Sequence, residues 1–169
     1  AKYHQFIKQG KRGLYEGLTF YSPNINIFRD PRWGRGHETY GEDPYLTGTL
    51  GVAFVKAMQG NNPNYFKTIC TAKHFAVHSG PEPSRHEFNA QPLKQDLWET
   101  YLPAFKMLAQ DGQVYSFMCA YNELYGEPCC SNPFLLSEIL RKQWGFKGFI
   151  ATDCGAVYDM FISHHTAKD

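Results

Sequence analysis

The sequence lacks any clear excess of charge of one sign. Seventeen basic residues are balanced by sixteen acidic residues, which leaves a formal net charge of +1. Nucleic acids and anionic membrane surfaces are bound through an excess of positive charge, so neither kind of partner is indicated. Long apolar runs are also missing, and none approaches the roughly 20 residues that a membrane span needs. We therefore expect a globular domain that neither binds nucleic acid nor inserts into a membrane.

Cysteine pairs with metal-binding spacing are absent as well. The five cysteines form no C-x-x-C pair, so we expect no metal site, and nothing indicates a cofactor. Cys70, Cys119 and Cys154 lie in apolar, strand-like runs, where we expect each to be a small, free hydrophobic residue. Cys129 and Cys130 lie in a loop and could supply one half of a disulfide.

The chain begins without an initiator methionine and without a recognisable signal peptide, because residues 1–17 are polar and helix-like. A mature protein and a fragment of a longer one would both begin in this way. The start therefore says nothing about export, and the compartment is left open, with a periplasmic or secreted location favoured over the cytoplasm.

Strand-like apolar runs alternate with helical patterns along the chain. The predicted strands are 18–27, 68–72, 114–121 and 148–152, and the predicted helices are the end of one within 1–13, then 43–59, 92–110 and 132–144. This alternation predicts an α/β fold with a parallel sheet and right-handed crossovers. Four strand–helix units are about half of an eightfold barrel, which typically needs about 250 residues. The predicted fold is a partial (β/α)8 TIM-like barrel.

Polar side chains follow each predicted strand at its carboxyl end. Because the carboxyl ends of parallel strands share one edge, these side chains should converge on one rim. They are Asn24, Asn26, Lys73, His74, Tyr121, Asn122 and Asp153. Aromatic residues make up 16% of the chain, which suits either a sugar-binding surface or a packed core.

Several of these residues allow more than one interpretation from the pattern alone. Asp153 is either the cap of the following helix or a catalytic carboxylate. Lys73 is a surface residue, a ligand for hydroxyl groups, or the Schiff-base nucleophile of a barrel aldolase. Arg32 and Arg35 flank Trp33, and we expect one arginine to hold the loop and the other to hold a ligand.

Five segments, in the same order, resemble the motifs of glycoside hydrolase family 3. They are RDPRWGRGHETYGEDP (29–44), TAKHFAVHSGPE (71–82), RHEFNA (85–90), MCAYNELYGEPCC (118–130) and GFIATDCGA (148–156). The resemblance implies a (β/α)8-like N-terminal domain. It also implies retaining hydrolysis of a β-linked sugar at the non-reducing end, with a glycoside or oligosaccharide as substrate.

The resemblance assigns roles to particular residues. Asp153 matches the family's nucleophile, which attacks the anomeric carbon and forms a covalent glycosyl-enzyme. The implied sugar-binding residues are Arg35, Lys73, His74, Arg85, Tyr121 and Tyr21. Arg32, Trp33, Glu38, Glu42 and Asp43 match positions that we assign mainly to loop structure. Nearby positive charge from Lys73 and Arg35 would favour the ionised nucleophile.

The chain departs from the family pattern at both ends. The family's acid/base normally lies in a C-terminal α/β domain, and its first barrel strand and an acidic sugar-binding residue would precede residue 1. We therefore expect residues 1–169 to be a fragment of one catalytic domain, truncated at both ends, whose partner is the missing C-terminal domain. Cys154 after the nucleophile resembles the β-xylosidase branch more than the β-glucosidase branch. A lysine-dependent aldolase and a non-catalytic sugar-binding module remain alternatives from other classes.

Overall fold

The structure is a computed structural model that describes residues 2–11, 13, 15–62 and 64–168. The α-helices are α1 (Lys2–Lys8), α2 (Pro44–Gln59), α3 (Lys94–Asp96), α4 (Pro103–Gln110) and α5 (Ala156–Ile162). The strands are β1 (Thr19–Phe20), β2 (Ile69–Phe75), β3 (Asn89–Ala90), β4 (Ser116–Cys119), β5 (Glu123–Leu124), β6 (Glu127–Pro128) and β7 (Phe149–Thr152). Two π-helical segments cover Leu97–Tyr101 and Phe134–Gln143, and short 3-10 helices cover Gly36–Glu38 and Glu82–Ser84. None of the described helices has the length and apolar character required to cross a bilayer.

Four strands form a parallel sheet in the order β1-β2-β4-β7. Helical segments connect successive strands of this sheet, so the predicted α/β fold is confirmed. The two central strands, β2 and β4, are largely buried, as expected for a parallel sheet covered by helices, whereas the outer strands β1 and β7 are partly exposed. All four carboxyl ends point to one edge, and the residues just beyond them therefore meet there.

A second, three-stranded sheet was not predicted. β3 pairs in parallel with β5, and β5 pairs antiparallel with β6. These strands lie in the long segments that follow β2 and β4, which the sequence indicated only as irregular. The second sheet joins the two segments beyond the carboxyl edge of the main sheet and restricts how far they can move apart.

The first predicted strand, 18–27, is regular only over β1. Pro23 has no N–H to donate to a ladder, and the side chain of Asn24 accepts the backbone N–H of Asn26 at 3.0 Å. The extended path nevertheless continues beside β2, because the backbone N–H of Ile25 donates to the carbonyl of Lys73 at 2.9 Å. Residues 23–27 are buried in this irregular but well-bonded form.

The long helix predicted over 92–110 is divided into α3, a π-helical turn and α4. Pro103 cannot donate a backbone hydrogen bond, and the N–H of Leu102 reaches back five residues to Leu97. The helix predicted over 132–144 likewise forms as a π-helix and ends before Gly145, which has φ of 69°. Tertiary packing therefore altered the winding of two segments whose helical character was predicted correctly.

The core lies between the sheet and the helices on one side of it. Phe75 of β2 contacts Phe105 of α4 and Phe117 of β4, with ring centroids 5.1 and 5.4 Å apart. Phe117 also contacts Phe146, just ahead of β7, at 4.8 Å. Edge-on aromatic contacts of this kind stabilise the core beyond simple burial. The aromatic richness of the chain therefore serves its core as well as its site.

One prediction about cysteine was wrong and another was correct only in part. Cys119, expected to be free, forms a disulfide with Cys130, because the β5–β6 hairpin returns the chain to the end of β4. Cys154 is free as expected, but it is exposed, because it lies in the turn beyond the last paired residue of β7 and not in the strand. Cys70 is free and buried as predicted, and Cys129 is also free and buried.

Candidate active site

Asp153 stands immediately beyond β7 and is 8% exposed. Its Oδ1 accepts the backbone N–H of Cys154 at 2.8 Å. Its Oδ2 is buried and has no hydrogen-bond partner among the described residues. Gly155 occupies the N-cap of α5, which has no side-chain cap, so the interpretation of Asp153 as a helix cap is wrong. One carboxylate oxygen is thus held by the backbone while the other stays available.

Two basic side chains lie against the free oxygen of Asp153. Nε2 of His74 is 3.3 Å from Oδ2, and Nη1 of Arg35 is 3.9 Å from the same atom. His74 comes from β2, whereas Arg35 comes from the loop that leads to α2. The parallel sheet therefore brings together residues that are 79 to 118 positions apart from Asp153 in the sequence.

Arg35 is held by Glu38, three residues further along the same loop. Nε and Nη2 of Arg35 donate to the two carboxylate oxygens of Glu38 at 2.6 and 2.9 Å. Asn24 also donates to Glu38, at 3.3 Å. The hydrogen bond from Arg35 is the main reason that the pKa of Glu38 is lowered to about 2. The sequence interpretation of Glu38 as loop structure missed this contact with a site residue.

Lys73 belongs to the same group of charges. Burial lowers its pKa, and the charge of Arg35 acts in the same direction. The negative charges of Glu38 and Asp153 oppose that shift. Lys73 is therefore a partly buried cation in the same electrostatic environment as these two carboxylates.

Tyr121 follows β4 and is buried, at 9% exposure. Burial raises the pKa of its phenol, and the negative charge of nearby Asp153 raises it further. The phenol therefore stays protonated and is a donor beside the carboxylate. Its ring stacks on His86, with centroids 4.1 Å apart.

His78 is a site residue that the sequence analysis passed over. Its ring stacks on that of His74 at 4.6 Å, and its Nε2 is 3.4 Å from Nη1 of Arg35. Nδ1 lies 3.3 Å from Oδ1 of Asn122. Burial is the main cause that lowers the pKa of His78 to about 3. A neutral His78 thus donates from Nδ1 to Asn122 and accepts at Nε2 from Arg35. The four-residue spacing of His74 and His78 was the signal available in the sequence.

No hydrogen bond or ion pair joins Arg85 or Tyr21 to Asp153 in the described part of the chain. Arg85 donates to Glu82 at 3.0 Å, and its positive charge helps to lower the pKa of both His74 and His78. Its Nε is buried and has no hydrogen-bond partner in the described part of the chain. Tyr21 follows β1 at the same sheet edge and is 52% exposed. Sugar contacts by these two residues stay predictions.

The loop after β2 also reaches α5. Nδ1 of His86 lies 2.7 Å from the carboxylate of Asp159, which is only 5% exposed. Because the same imidazole stacks on Tyr121, this loop, the end of β4 and α5 are joined around Asp153. The sequence pattern assigned no role to His86 and did not predict this connection.

Metal binding has no candidate group in the described ranges. No cluster of three or more His, Cys, Asp or Glu side chains is arranged there to hold an ion.

Arg32, the other arginine of the loop, pairs with exposed Asp30 at 2.6 Å instead of entering the site. The expected division between a structural and a site arginine therefore agrees with their observed positions.

Comparison with known proteins gives a consistent result. The sequence profile of the glycosyl hydrolase family 3 N terminal domain matches residues 16–169. A xylan 1,4-beta-xylosidase of Xylanibacter ruminicola is 53% identical over 154 residues, which are 90% of this chain and 18% of that protein. Beta-D-xylosidase 3 of Arabidopsis thaliana is 47% identical over 158 residues, or 90% of this chain and 20% of that protein. The chain thus spans about a fifth of the length of these relatives.

Solved structures with the same fold carry related names. A GH3 exo-beta-xylosidase bound to a xylobiose aziridine probe superposes with a TM-score of 0.87 at 41% identity, covering 90% of this chain and 21% of that one. A beta-glucosidase from Listeria innocua superposes with a TM-score of 0.79 at 35% identity, covering 89% and 21%. Profile, relatives and fold agree, and the chain belongs to the N-terminal domain of glycosyl hydrolase family 3.

Proposed function

We propose that this chain supplies the nucleophile and part of the sugar-binding site of a retaining, exo-acting β-glycosidase. The observation that carries the proposal is the buried carboxylate of Asp153. Its Oδ2 lacks a hydrogen-bond partner among the described residues and lies beside His74 and Arg35. A buried anion with one free oxygen, at the rim of a parallel sheet, is placed for nucleophilic attack.

In this mechanism Oδ2 of Asp153 attacks the anomeric carbon of the terminal sugar. The new carbon–oxygen bond forms as the glycosidic bond breaks, and the leaving oxygen takes a proton from a second carboxyl group. Water then gives a proton to the second carboxylate, its oxygen bonds to the anomeric carbon, and the bond to Asp153 breaks, which releases the sugar and restores both carboxyl groups. Lys73, His74 and Arg35 would bind the sugar hydroxyls, and the neutral phenol of Tyr121 would donate to the carboxylate or to the sugar.

The second carboxyl group is inferred to lie outside residues 1–169. Three carboxyl groups in the segments around the site are paired with basic side chains: Glu38 with Arg35, Glu82 with Arg85, and Asp159 with His86. A general acid must be protonated at working pH, which a pKa of about 2 at Glu38 opposes. We infer that a further domain of a longer protein supplies the acid/base. That inference agrees with relatives about five times longer.

The preferred sugar is proposed to be β-linked D-xylose. The two relatives described above are named xylosidases and share 47–53% identity with the chain, whereas the Listeria glucosidase shares 35%. A pocket that excludes the hydroxymethyl group of glucose discriminates by packing, which is worth about 1–3 kcal/mol. β-Glucosidase activity is the alternative within the same family.

The test compares the full-length protein with its Asp153→Asn variant. We expect hydrolysis of nitrophenyl β-xyloside, with kcat/KM about tenfold or more above that for the β-glucoside. The variant should lose at least about 1,000-fold in kcat. Asp43→Asn is the matched control, because Asn can still cap α2 as Asp43 does through its bond to Leu46.

Covalent trapping separates the other classes of function. A 2-fluoro-xyloside should label Asp153, identified by peptide mass spectrometry. Label at another carboxylate would refute the assignment of Asp153 as the nucleophile. Full activity of the Asp153→Asn variant would leave this chain with a sugar-binding role only. An aldolase would instead be trapped at Lys73 by borohydride in the presence of a carbonyl substrate.

A further inference from the structure

Asn26 makes four hydrogen bonds in a fully enclosed position behind the site. Its Oδ1 lies 2.8 Å from the backbone N–H of His74 and 3.0 Å from Nδ1 of the same residue. Its Nδ2 donates to the backbone carbonyl of His74 at 2.9 Å. Its own backbone N–H donates to Asn24 at 3.0 Å. Asn26 is 2% exposed and His74 is 0% exposed, so water does not compete for these bonds.

These contacts determine which way the Asn26 amide points. A backbone N–H can only donate and a backbone carbonyl can only accept. The oxygen of the amide must therefore face the N–H of His74, and the nitrogen must face its carbonyl. Rotating the amide by 180° would place donor against donor and acceptor against acceptor.

The amide in turn determines the tautomer of His74. Because Oδ1 of Asn26 can only accept, Nδ1 of His74 must carry the proton that it donates. Burial, with help from the charges of His78, Arg35, Lys73 and Arg85, lowers the pKa of His74 well below its ordinary value, so the ring is neutral. A neutral imidazole protonated on Nδ1 has a lone pair on Nε2.

That lone pair faces another acceptor. Nε2 of His74 is 3.3 Å from Oδ2 of Asp153, and both atoms are buried without a hydrogen-bond partner among the described residues. Two adjacent acceptors that receive no hydrogen bond are unfavourable, although Arg35 and Tyr121 lie near the carboxylate, until a donor is directed at them. A hydroxyl group of a bound sugar is such a donor, and it would satisfy both atoms or Nε2 alone.

We propose that Asn26 is a positioning residue, which keeps the proton of His74 on Nδ1 so that Nε2 accepts a hydrogen bond from a sugar hydroxyl. This inference rests on the proposed function for the identity of the ligand. It adds a direction to the contact: His74 is the acceptor and the hydroxyl is the donor. A fluorine atom in place of that hydroxyl cannot donate a hydrogen bond, so the fluorinated sugar should bind more weakly.

Neutron diffraction from crystals of the full-length protein reads the tautomer without reference to activity. The expected result is density for a proton on Nδ1 of His74 and none on Nε2 in the ligand-free protein. A proton on Nε2 would overturn the proposal. This measurement needs no variant, so it holds even where a substitution at Asn26 prevents folding.

The second experiment measures inhibition by xylose and by its monodeoxyfluoro analogues. The wild-type protein should bind one analogue about tenfold more weakly than xylose, because one hydrogen bond to His74 is lost. In Asn26→Asp, a carboxylate beside Nδ1 favours the imidazolium, and Nε2 becomes a donor. The fluorinated analogue should then bind the variant no more than about twofold more weakly than xylose does.

Asn132→Asp is the control for this substitution. Asn132 is also buried, at 3% exposure, and also bonds the backbone on both sides, through Leu124 and Leu135. Its variant should keep the wild-type fluorine penalty. A tenfold penalty retained in Asn26→Asp would overturn the proposal. If no sugar inhibits the wild type, the proposed function fails, while the neutron result still decides the tautomer.

Discussion

At the scale of single residues, the site depends on side chains that do not touch Asp153 themselves. Glu38 binds two nitrogens of Arg35, and His78 accepts from a third. These contacts hold Arg35 in an orientation that places its Nη1 3.9 Å from Oδ2 of Asp153. A long, flexible cation becomes a precisely placed one because its partners remove most of its conformational freedom.

Replacing Glu38 by Gln should therefore weaken substrate binding more than it slows the reaction. We expect KM for the xyloside to rise about tenfold, with a smaller fall in kcat, because a misplaced Arg35 costs about one charged hydrogen bond. Steady-state kinetics of the full-length protein would measure both constants. Glu138→Gln is the control, since it removes the same charge from an exposed pair with Lys142. Equal effects of the two variants would contradict a role for Glu38 in the site.

The same carboxylate should make stability depend on pH. Because the pKa of Glu38 is lowered from 4.5 to about 2, its contribution is complete above about pH 4.5 and is lost as the pH falls toward 2. We expect this loss to be about 1 kcal/mol, since the pair is partly exposed to solvent. The free energy of unfolding, measured in urea at pH 7 and pH 3, should fall more between these pH values in the wild type than in Glu38→Gln.

At the scale of elements, α2 and α4 pack closely enough to require small residues. A Cβ atom at Gly51 of α2 would lie 2.7 Å from Cδ1 of Leu108 and 3.1 Å from Cγ2 of Ile25. Ile25 lies between Asn24 and Asn26, two residues whose side chains support the site. The contact between these helices therefore also sets the position of the segment that holds His74 and Glu38.

Gly51→Ala should destabilise the fold although alanine favours helices. The added methyl group overpacks the contact with Leu108 and Ile25, which we expect to lower the free energy of unfolding by about 1–3 kcal/mol. Chemical denaturation would measure the change. Gly17→Ala is the control, because a Cβ at that position has no atom within 4 Å and Gly17 lies outside a helix. A stabilised Gly51→Ala protein would show that the two helices separate without cost.

At the scale of the whole molecule, the proposed mechanism divides its two carboxyl groups between this chain and a further domain. β1 and β7 lie at the two ends of the four-stranded sheet, whose order is β1-β2-β4-β7. Further strands of a barrel would pair with these outer strands. The proposed catalytic protein is thus assembled from this unit and from parts that lie outside residues 1–169.

The 169-residue chain by itself should show little or no turnover of an aryl β-xyloside. Without an acid to protonate the leaving oxygen, we expect at least a hundredfold lower kcat than in the full-length protein, consistent with typical contributions of general acids. Activity would be assayed alongside circular dichroism, which checks that the isolated chain has folded. A folded chain with the full-length rate would contradict the proposal that the acid/base lies elsewhere.

Much of this could be predicted from local pattern. The alternation of strand and helix predicted a parallel α/β fold, because hydrophobic periodicity and caps such as Asp43–Pro44 are local properties. The polar residues at strand ends determined where a site would form, since parallel strands align their carboxyl ends. Asp153 and His74 were predicted in this way, Arg35 was predicted from its loop and from the family resemblance, and the three do come together around one carboxylate oxygen.

Tertiary structure alone decided the partners of those residues. The partners of a buried side chain can lie far away in the sequence: Asn26 bonds His74, 48 positions away, and His78 bonds Arg35, 43 positions away. A local sequence pattern does not contain this information, and it did not show that Glu38 binds the site residue Arg35. The disulfide of Cys119 likewise required the hairpin that returns Cys130 to β4. The sequence by itself determined the fold class and the chemistry at the rim. Only the folded arrangement decided which of those side chains are held, neutral or free to bind.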